Sequence, residues 1–160
     1  MAYKRFTAST DQLRPDPRYK SKLLAKFINV MMYDGKKSTT QRMMYRALDI
    51  VEKRVEDATA IEVFEKAIEN VKPRLEVRSK RVGGANYQVP MPVSGKRQLS
   101  LAMRWMRDAM RSGSGRPTHE RAAAEIVAAY NGEGAAVSTR ENVHRMADAN
   151  KAFAHFAWGR

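Results

Sequence analysis

Paired cations recur along this sequence where helical periodicity stops. Lys36-Lys37, Arg78 with Lys80-Arg81, and Lys96-Arg97 fall in loops or at loop edges, and a fourth group surrounds Arg111 and Arg116. From Lys72 to Arg116 eleven bases (Lys72, Arg74, Arg78, Lys80, Arg81, Lys96, Arg97, Arg104, Arg107, Arg111, Arg116) stand against two acids, Glu76 and Asp108. Side chains of this type displace counterions from closely spaced phosphates. One such pair is an ordinary solvated surface. Several pairs at loop junctions, in a chain with 30 Lys and Arg against 17 Asp and Glu and a net charge of +13, favour phosphate contact. Self-repulsion on that scale works against compactness unless a polyanion relieves it. Nucleic acid is the commonest such partner, and an anionic membrane surface is the rival, set below it.

Other chemistries find no support in spacing. Gly35-Lys36-Lys37-Ser38 has the flavour of a phosphate-cradling loop, but Val30 stands where the upstream glycine belongs and Lys37 separates Lys36 from Ser38. Gly113 and Gly115 read as a helix stop. His119, His144 and His155 lack metal-ligand pairing, and the absence of cysteine removes disulfides, thiolate zinc sites and cysteine nucleophiles. No catalytic residue, metal or cofactor is expected. No stretch reads as a secretory signal or a membrane-spanning helix, and Met1–Leu13 does not read as a transit peptide.

The elements that carry the cations follow from periodicity. Of the 160 residues 43% are hydrophobic, enough for one packed domain over 1–160. Residues 1–18 lack helical rhythm and read as an extended basic arm with Lys4, Arg5, Arg14 and Arg18. Leu23, Leu24, Phe27, Ile28 and Met31 predict a helix from about Tyr19 to Met32, broken by Asp34-Gly35. Ser38 with Gln41 predicts a capping box opening a second helix whose stripe is Met44, Leu48, Val51 and Val55. Thr59 with Glu62 repeats that signal before Ile61, Phe64, Ile68 and Val71, and Pro73 ends the third helix. Five acids against one base between Glu56 and Val71 point that face away from a polyanion.

Over residues 74–93 the period drops to two, and the Gly83-Gly84-Ala85-Asn86 turn predicts a β-hairpin, with Pro90 and Pro92 on an edge strand. An isolated hairpin is marginal in water, so it reads as an arm stabilised by what it touches. Ser94 caps a fourth helix through Leu99, Ala102, Met103, Met106 and Met110. Ser100, Arg104, Arg107 and Arg111 lie along another of its faces. A fifth runs from Pro117-Thr118 to Tyr130. Ser138 with Glu141 predicts a third capping box, opening a last helix over 138–158 that buries Val143, Met146 and Ala147. The fold class is mainly α: about six helices with one protruding hairpin. Cations dispersed between packed helices suit a folded RNA better than a single recognition helix in a DNA groove. Tyr3 and Tyr87 are weighed as base-stacking rings and assigned to packing.

Three strings make the chain recognisable. They are Pro15-Asp16-Pro17-Arg18-Tyr19 running into Leu24-Ala25-Lys26-Phe27-Ile28-Asn29 and Asp34-Gly35-Lys36-Lys37-Ser38-Thr39; Ala67-Ile68-Glu69-Asn70-Val71-Lys72-Pro73 continuing through Val77-Arg78-Ser79-Lys80-Arg81-Val82-Gly83-Gly84-Ala85-Asn86-Tyr87-Gln88-Val89-Pro90; and Met146-Ala147-Asp148-Ala149-Asn150-Lys151-Ala152-Phe153-Ala154-His155-Phe156. Over about residues 14 to 158 the chain resembles the family of small ribosomal subunit protein seven, bacterial type. The resemblance implies a structural protein that binds the head domain of small-subunit ribosomal RNA and nucleates its assembly, beside neighbouring ribosomal proteins and away from any membrane. It implies that the hairpin and final helix lie near exit-site transfer RNA and the messenger path, and that the protein represses translation of its own messenger. By motif, Lys36 and Lys37 contact ribosomal RNA, and Arg78, Lys80 and Arg81 line the hairpin against RNA backbone. Gly83 and Gly84 form its tip near the exit site, and Arg140, His144 and Arg145 on the final helix approach transfer RNA. Charge clustering adds Arg74, Lys96, Arg97, Arg111 and Arg116 to the ribosomal RNA set, and the arm adds Lys4, Arg5, Arg14 and Arg18. The implied location is the ribosome of a bacterial cytoplasm, with an organelle-encoded origin left open. The opening Met1-Ala2-Tyr3-Lys4-Arg5 is less arginine-rich than the family's usual start, and Ser138-Thr139 replaces a basic pair.

Overall fold

Apolar residues at three- and four-residue spacing can leave water only if their helices share one interior, and they do. The computed structural model describes residues 13–157. The elements are α1 (Lys22–Met31), α2 (Lys37–Arg54), α3 (Ala60–Val71), β1 (Leu75–Val82), β2 (Ala85–Pro92), α4 (Gly95–Ser112), α5 (Thr118–Tyr130), α6 (Ala135–Ala149) and a terminal 3-10 helix (Lys151–Ala157). All six α-helices give buried residues to one hydrophobic cluster. Helix α5 lies against both α2 and α3. Phe27 of α1 meets Phe64 of α3 edge-on at 5.3 Å, a geometry that adds about 1 kcal/mol to the burial of the rings. From α4, Met103, Met106 and Met110 fill the remaining space, where flexible thioethers pack irregular gaps.

The helix starts separate local rules that held from those that tertiary structure overrode. Thr59 and Glu62 form the expected reciprocal capping box. Ser38 and Gln41 do not, because α2 begins two residues earlier than that box requires, with Lys36 as its uncapped N-cap, and the Gln41 amide turns to Tyr45 and Asp16. Ser94 is the N-cap of α4 without a side-chain bond. The Ser138–Glu141 box is absent because α6 starts at Ala135; Glu125 of α5 accepts the Ala136 N–H at 2.8 Å instead. The first helix starts at Lys22 rather than Tyr19. Asp16, only 2% exposed, accepts the N–H groups of Arg18 and Tyr19 and the Tyr45 hydroxyl, holding 17–19 in a turn before Ser21 caps α1.

At the other end, the helix expected over 138–158 stops at Ala149, and its continuation is the 3-10 turn. Met146, placed on its buried face by periodicity, is 51% exposed, and the α6 core contacts are Ala136, Val137 and Ala147.

The hairpin is a two-stranded antiparallel ribbon in register from Leu75↔Pro92 to Val82↔Ala85. Gly83 and Gly84, with φ of 58° and 89°, make the two-residue primed turn whose twist matches the strands. The ribbon packs on α6 and the 3-10 helix. Tyr87 packs between Phe153 and Phe156, with ring centroids at 5.3 and 5.0 Å, and Lys80 donates to the Phe156 carbonyl at 2.8 Å.

Candidate nucleic-acid interface

The cations gather in three places. The first is the corner where α1 turns into α2. Asp34 and Gly35 both have positive φ (49° and 72°), and the Lys36 N–H donates to the Tyr33 carbonyl at 2.8 Å, closing a primed turn. Lys36 and Lys37 are therefore presented, exposed, at the start of α2, where uncapped N–H groups already carry positive potential. A groove of about 310 Å³ has Arg14, Asp16, Lys37 and Gln41 among its lining residues, so Arg14 joins this corner. Arg111 reaches it from α4: its Nη2 donates to the Met31 carbonyl at 2.7 Å while the guanidinium lies 3.7 Å from the centre of the Tyr33 ring. Arg121 ties the following loop by donating to the carbonyls of Gly113 and Arg111, and Arg116 is exposed in that loop. Arg18 stands over Tyr19 and Tyr45 and pairs with Asp49 at 2.6 Å, so its charge is partly neutralised.

The second place is the hairpin. Glu76, 9% exposed, pairs with Arg78 of β1 and with Arg97 of α4, so two expected RNA contacts share one carboxylate and present one net positive charge. Arg78 and Lys80 fall on one face of the ribbon and Arg81 on the other, because side chains alternate along a strand. Lys80 is engaged with the 3-10 helix, whereas Arg81 and Lys96 are exposed.

The third is a cleft of about 560 Å³ between α3, the hairpin root and α6, lined by Lys72, Arg74, Gln98, Arg140 and His144 with Glu69 and Asn70. His144 Nε2 accepts the Arg74 N–H at 3.0 Å, which requires the neutral ring. Burial pushes its pKa down, with Arg140 and Arg74 adding to the effect and Asp148 and Glu141 opposing it. Arg140 donates to the Asn70 carbonyl. Of the three α6 residues marked by resemblance, Arg140 and His144 thus fasten the helix to its neighbours and Arg145 faces solvent.

The corner draws together Arg14, Lys36, Lys37 and Arg111, from segments far apart in sequence; Arg78, Arg97 and Lys80 belong to the hairpin, and Arg74, Arg140 and His144 to the cleft. Lys4 and Arg5, like Tyr3, lie outside the described residues. Tyr87 is a packing residue, as expected. Among the described residues the exposed tyrosine is Tyr33, at 63%, which sequence reasoning passed over; its place beside Asp-Gly-Lys-Lys was the available signal. The acids of α3 (Glu62, Glu65, Glu69) are exposed on that helix. No helix among the described residues is long and apolar enough to cross a membrane.

A helical bundle that fixes a hairpin and several cation clusters around one core, with its polar side chains used to fasten segments, defines a structural binding protein. The same chain matches the family model described as ribosomal protein S7p/S5e over residues 3–151. It is 59% identical over 155 residues to the small ribosomal subunit protein uS7 of Rhodopirellula baltica, covering 96% of this chain and 99% of that protein. To uS7 of Thermotoga petrophila it is 51% identical, covering 97% and 99%, and to uS7 of Acidithiobacillus ferrooxidans 54%, covering 90% and 92%. The chain belongs to the ribosomal protein S7p/S5e family, bacterial type, as a structural, non-enzymatic constituent of the small ribosomal subunit that works in translation.

Proposed function

We propose that this protein binds the head domain of small-subunit ribosomal RNA directly and nucleates its folding. The observation that carries this reading is the fixed spacing of the three cation clusters around a shared hydrophobic core. Rigidly placed charges neutralise phosphates of different RNA segments at once and so hold a multihelix junction in one geometry. Arg14, Lys36, Lys37 and Arg111 form the principal contact, with Arg116 beside them. Arg74, Lys96 and Arg81 extend it toward the hairpin, while Arg78 and Arg97 act as a pair through Glu76. The Gly83-Gly84 tip and Arg145 lie toward exit-site transfer RNA and messenger, with Arg140 and His144 holding α6 in place for that approach. The same RNA-binding surface represses the protein's own messenger.

The test is a salt titration of binding to a head-domain fragment, against an unrelated structured RNA. With about six phosphates engaged, affinity drops by about a thousandfold between about 50 and 200 mM salt. A flat salt response, or equal binding to both RNAs, defeats the reading. Deleting Gly83 to Asn86 leaves affinity for the fragment near that of the parent and alters transfer RNA retention at the exit site. A reporter carrying the native leader falls on overexpression if repression operates.

A further inference from the structure

We propose that Tyr33 is a nucleobase-stacking residue, and that the cleft it walls with Arg111 receives an unpaired base of the bound RNA. This inference rests on the RNA-binding reading above and adds a contact of a different kind, to a base rather than to phosphate.

Three observations converge. Tyr33 is 63% exposed, whereas Tyr19, Tyr45, Tyr87 and Tyr130 are all partly buried against neighbours. Arg111 covers one face of the Tyr33 ring, and the remainder of the ring stands open beside the Lys36-Lys37 pair. The ring is also held in place. Arg111 stacks its guanidinium 3.7 Å from the ring centre and is itself tied to the Met31 carbonyl at 2.7 Å, and the primed turn fixes the Tyr33 backbone. A platform so ordered before binding loses little freedom when a base lands on it. Finally, a cleft of about 370 Å³ opens beside the ring, with Met31 and Met43 as apolar lining and Thr39 and Thr40 at the start of α2. It offers a base an apolar seat and the Thr39 hydroxyl for its edge, while Lys36 and Lys37 stand exposed in the chain between Tyr33 and Thr39, at the start of α2.

Bases inside an RNA duplex are stacked on one another and inaccessible to such a ring; those in loops, bulges and ends are open to it. The ligand is therefore a single-stranded nucleotide, clamped by its base on Tyr33 and by its phosphates on Lys36 and Lys37. Stacking and phosphate contact differ in their response to salt, and that difference separates this inference from the reading it rests on.

The experiment compares binding of the head-domain fragment, over a range of salt, by the full chain and by Tyr33→Leu, Tyr33→Trp and Lys36→Ala/Lys37→Ala. Tyr33→Leu keeps an apolar side chain and removes the π face; it weakens binding about tenfold with the salt slope unchanged. Tyr33→Trp binds at least as well as the parent. The double lysine variant lowers the slope. If the parent binds steeply and selectively but Tyr33→Leu matches it, the ring packs against something other than a base and the stacking inference fails alone. If Tyr33→Trp is as weak as Tyr33→Leu, stacking is likewise overturned. If the parent does not prefer the head-domain fragment, the RNA reading fails and stacking falls with it.

Discussion

The α1–α2 corner and the hairpin carry similar numbers of cations and use them differently. At the corner the backbone does the positioning: a primed turn and the start of an 18-residue helix present Lys36 and Lys37 to solvent. At the hairpin the cations themselves hold the structure together. Arg78 and Arg97 meet on Glu76, and Lys80 reaches the Phe156 carbonyl. Where backbone geometry is sufficient, charge remains available for a partner. A two-stranded ribbon is marginally stable alone, and there the side chains supply the support.

That contrast gives an ordered set of expected outcomes. The largest is in RNA affinity. Lys36→Ala/Lys37→Ala costs about tenfold or more and reduces the slope of log affinity against log salt by about 1.5, at about 0.7 to 0.9 per phosphate. Arg78→Ala/Arg97→Ala, removing the same formal charge, changes the slope by less, because Glu76 already offsets one of the two. Equal slopes from the two pairs, measured by filter binding, would erase the distinction between the regions.

Next is Glu76→Gln, which separates stability from binding. Losing the shared carboxylate costs about 1 to 2 kcal/mol in denaturant unfolding, at the lower end because Arg78 and Arg97 are partly solvated. The same change raises affinity for the RNA fragment, since both guanidinium groups are released. A drop in affinity would mean that the pair acts only as scaffold.

Tyr87→Ala has a smaller and more local effect, about 1 kcal/mol. Hydrogen exchange quickens over the hairpin and the 3-10 helix and stays slow in α2 and α5, whose contacts do not involve Tyr87. Uniform acceleration across the bundle contradicts the independence of the two regions.

The smallest effect is the pH dependence at His144. In the unfolded chain its ring titrates near 6.5, and in the fold burial, with Arg140 and Arg74, holds it lower. The unfolded state thus binds the proton more readily. The stability associated with neutral His144 is present above about pH 6.5 and is lost as pH falls toward the folded value. Between about pH 7 and about pH 5 the thermal midpoint declines less in His144→Gln than in the parent.

Periodicity made most of the bundle legible. Leu24, Phe27, Met44, Leu48, Phe64, Ile68, Met103 and Met106 are all fully buried where helical spacing put them, and the glycine turn and alternating strands marked the hairpin. The Thr59–Glu62 box was readable because both partners sit within one turn of helix. Ser138–Glu141 has the same spacing and fails, because Glu125 on α5 provides the cap for a helix that starts earlier. Met146 was misplaced because α6 meets the core along a narrow strip of small residues near its start and at Ala147. Cation positions were legible as a list, but their division between exposed and engaged was not. The partners that decide it, Asp49 for Arg18, Glu76 for Arg97 and Phe156 for Lys80, are brought close only by tertiary folding.

The clasp between Lys80, Tyr87 and the Phe153–Phe156 turn also has a consequence in time. A chain made from its N-terminus completes the hairpin long before the segment that closes over it emerges. During synthesis α1 to α3 can already bury the Phe27–Phe64 contact, while the arm waits as a ribbon without its lock. Translation of Lys151–Ala157 is then the event that seats the arm, so shape at the hairpin reports that this segment has been made.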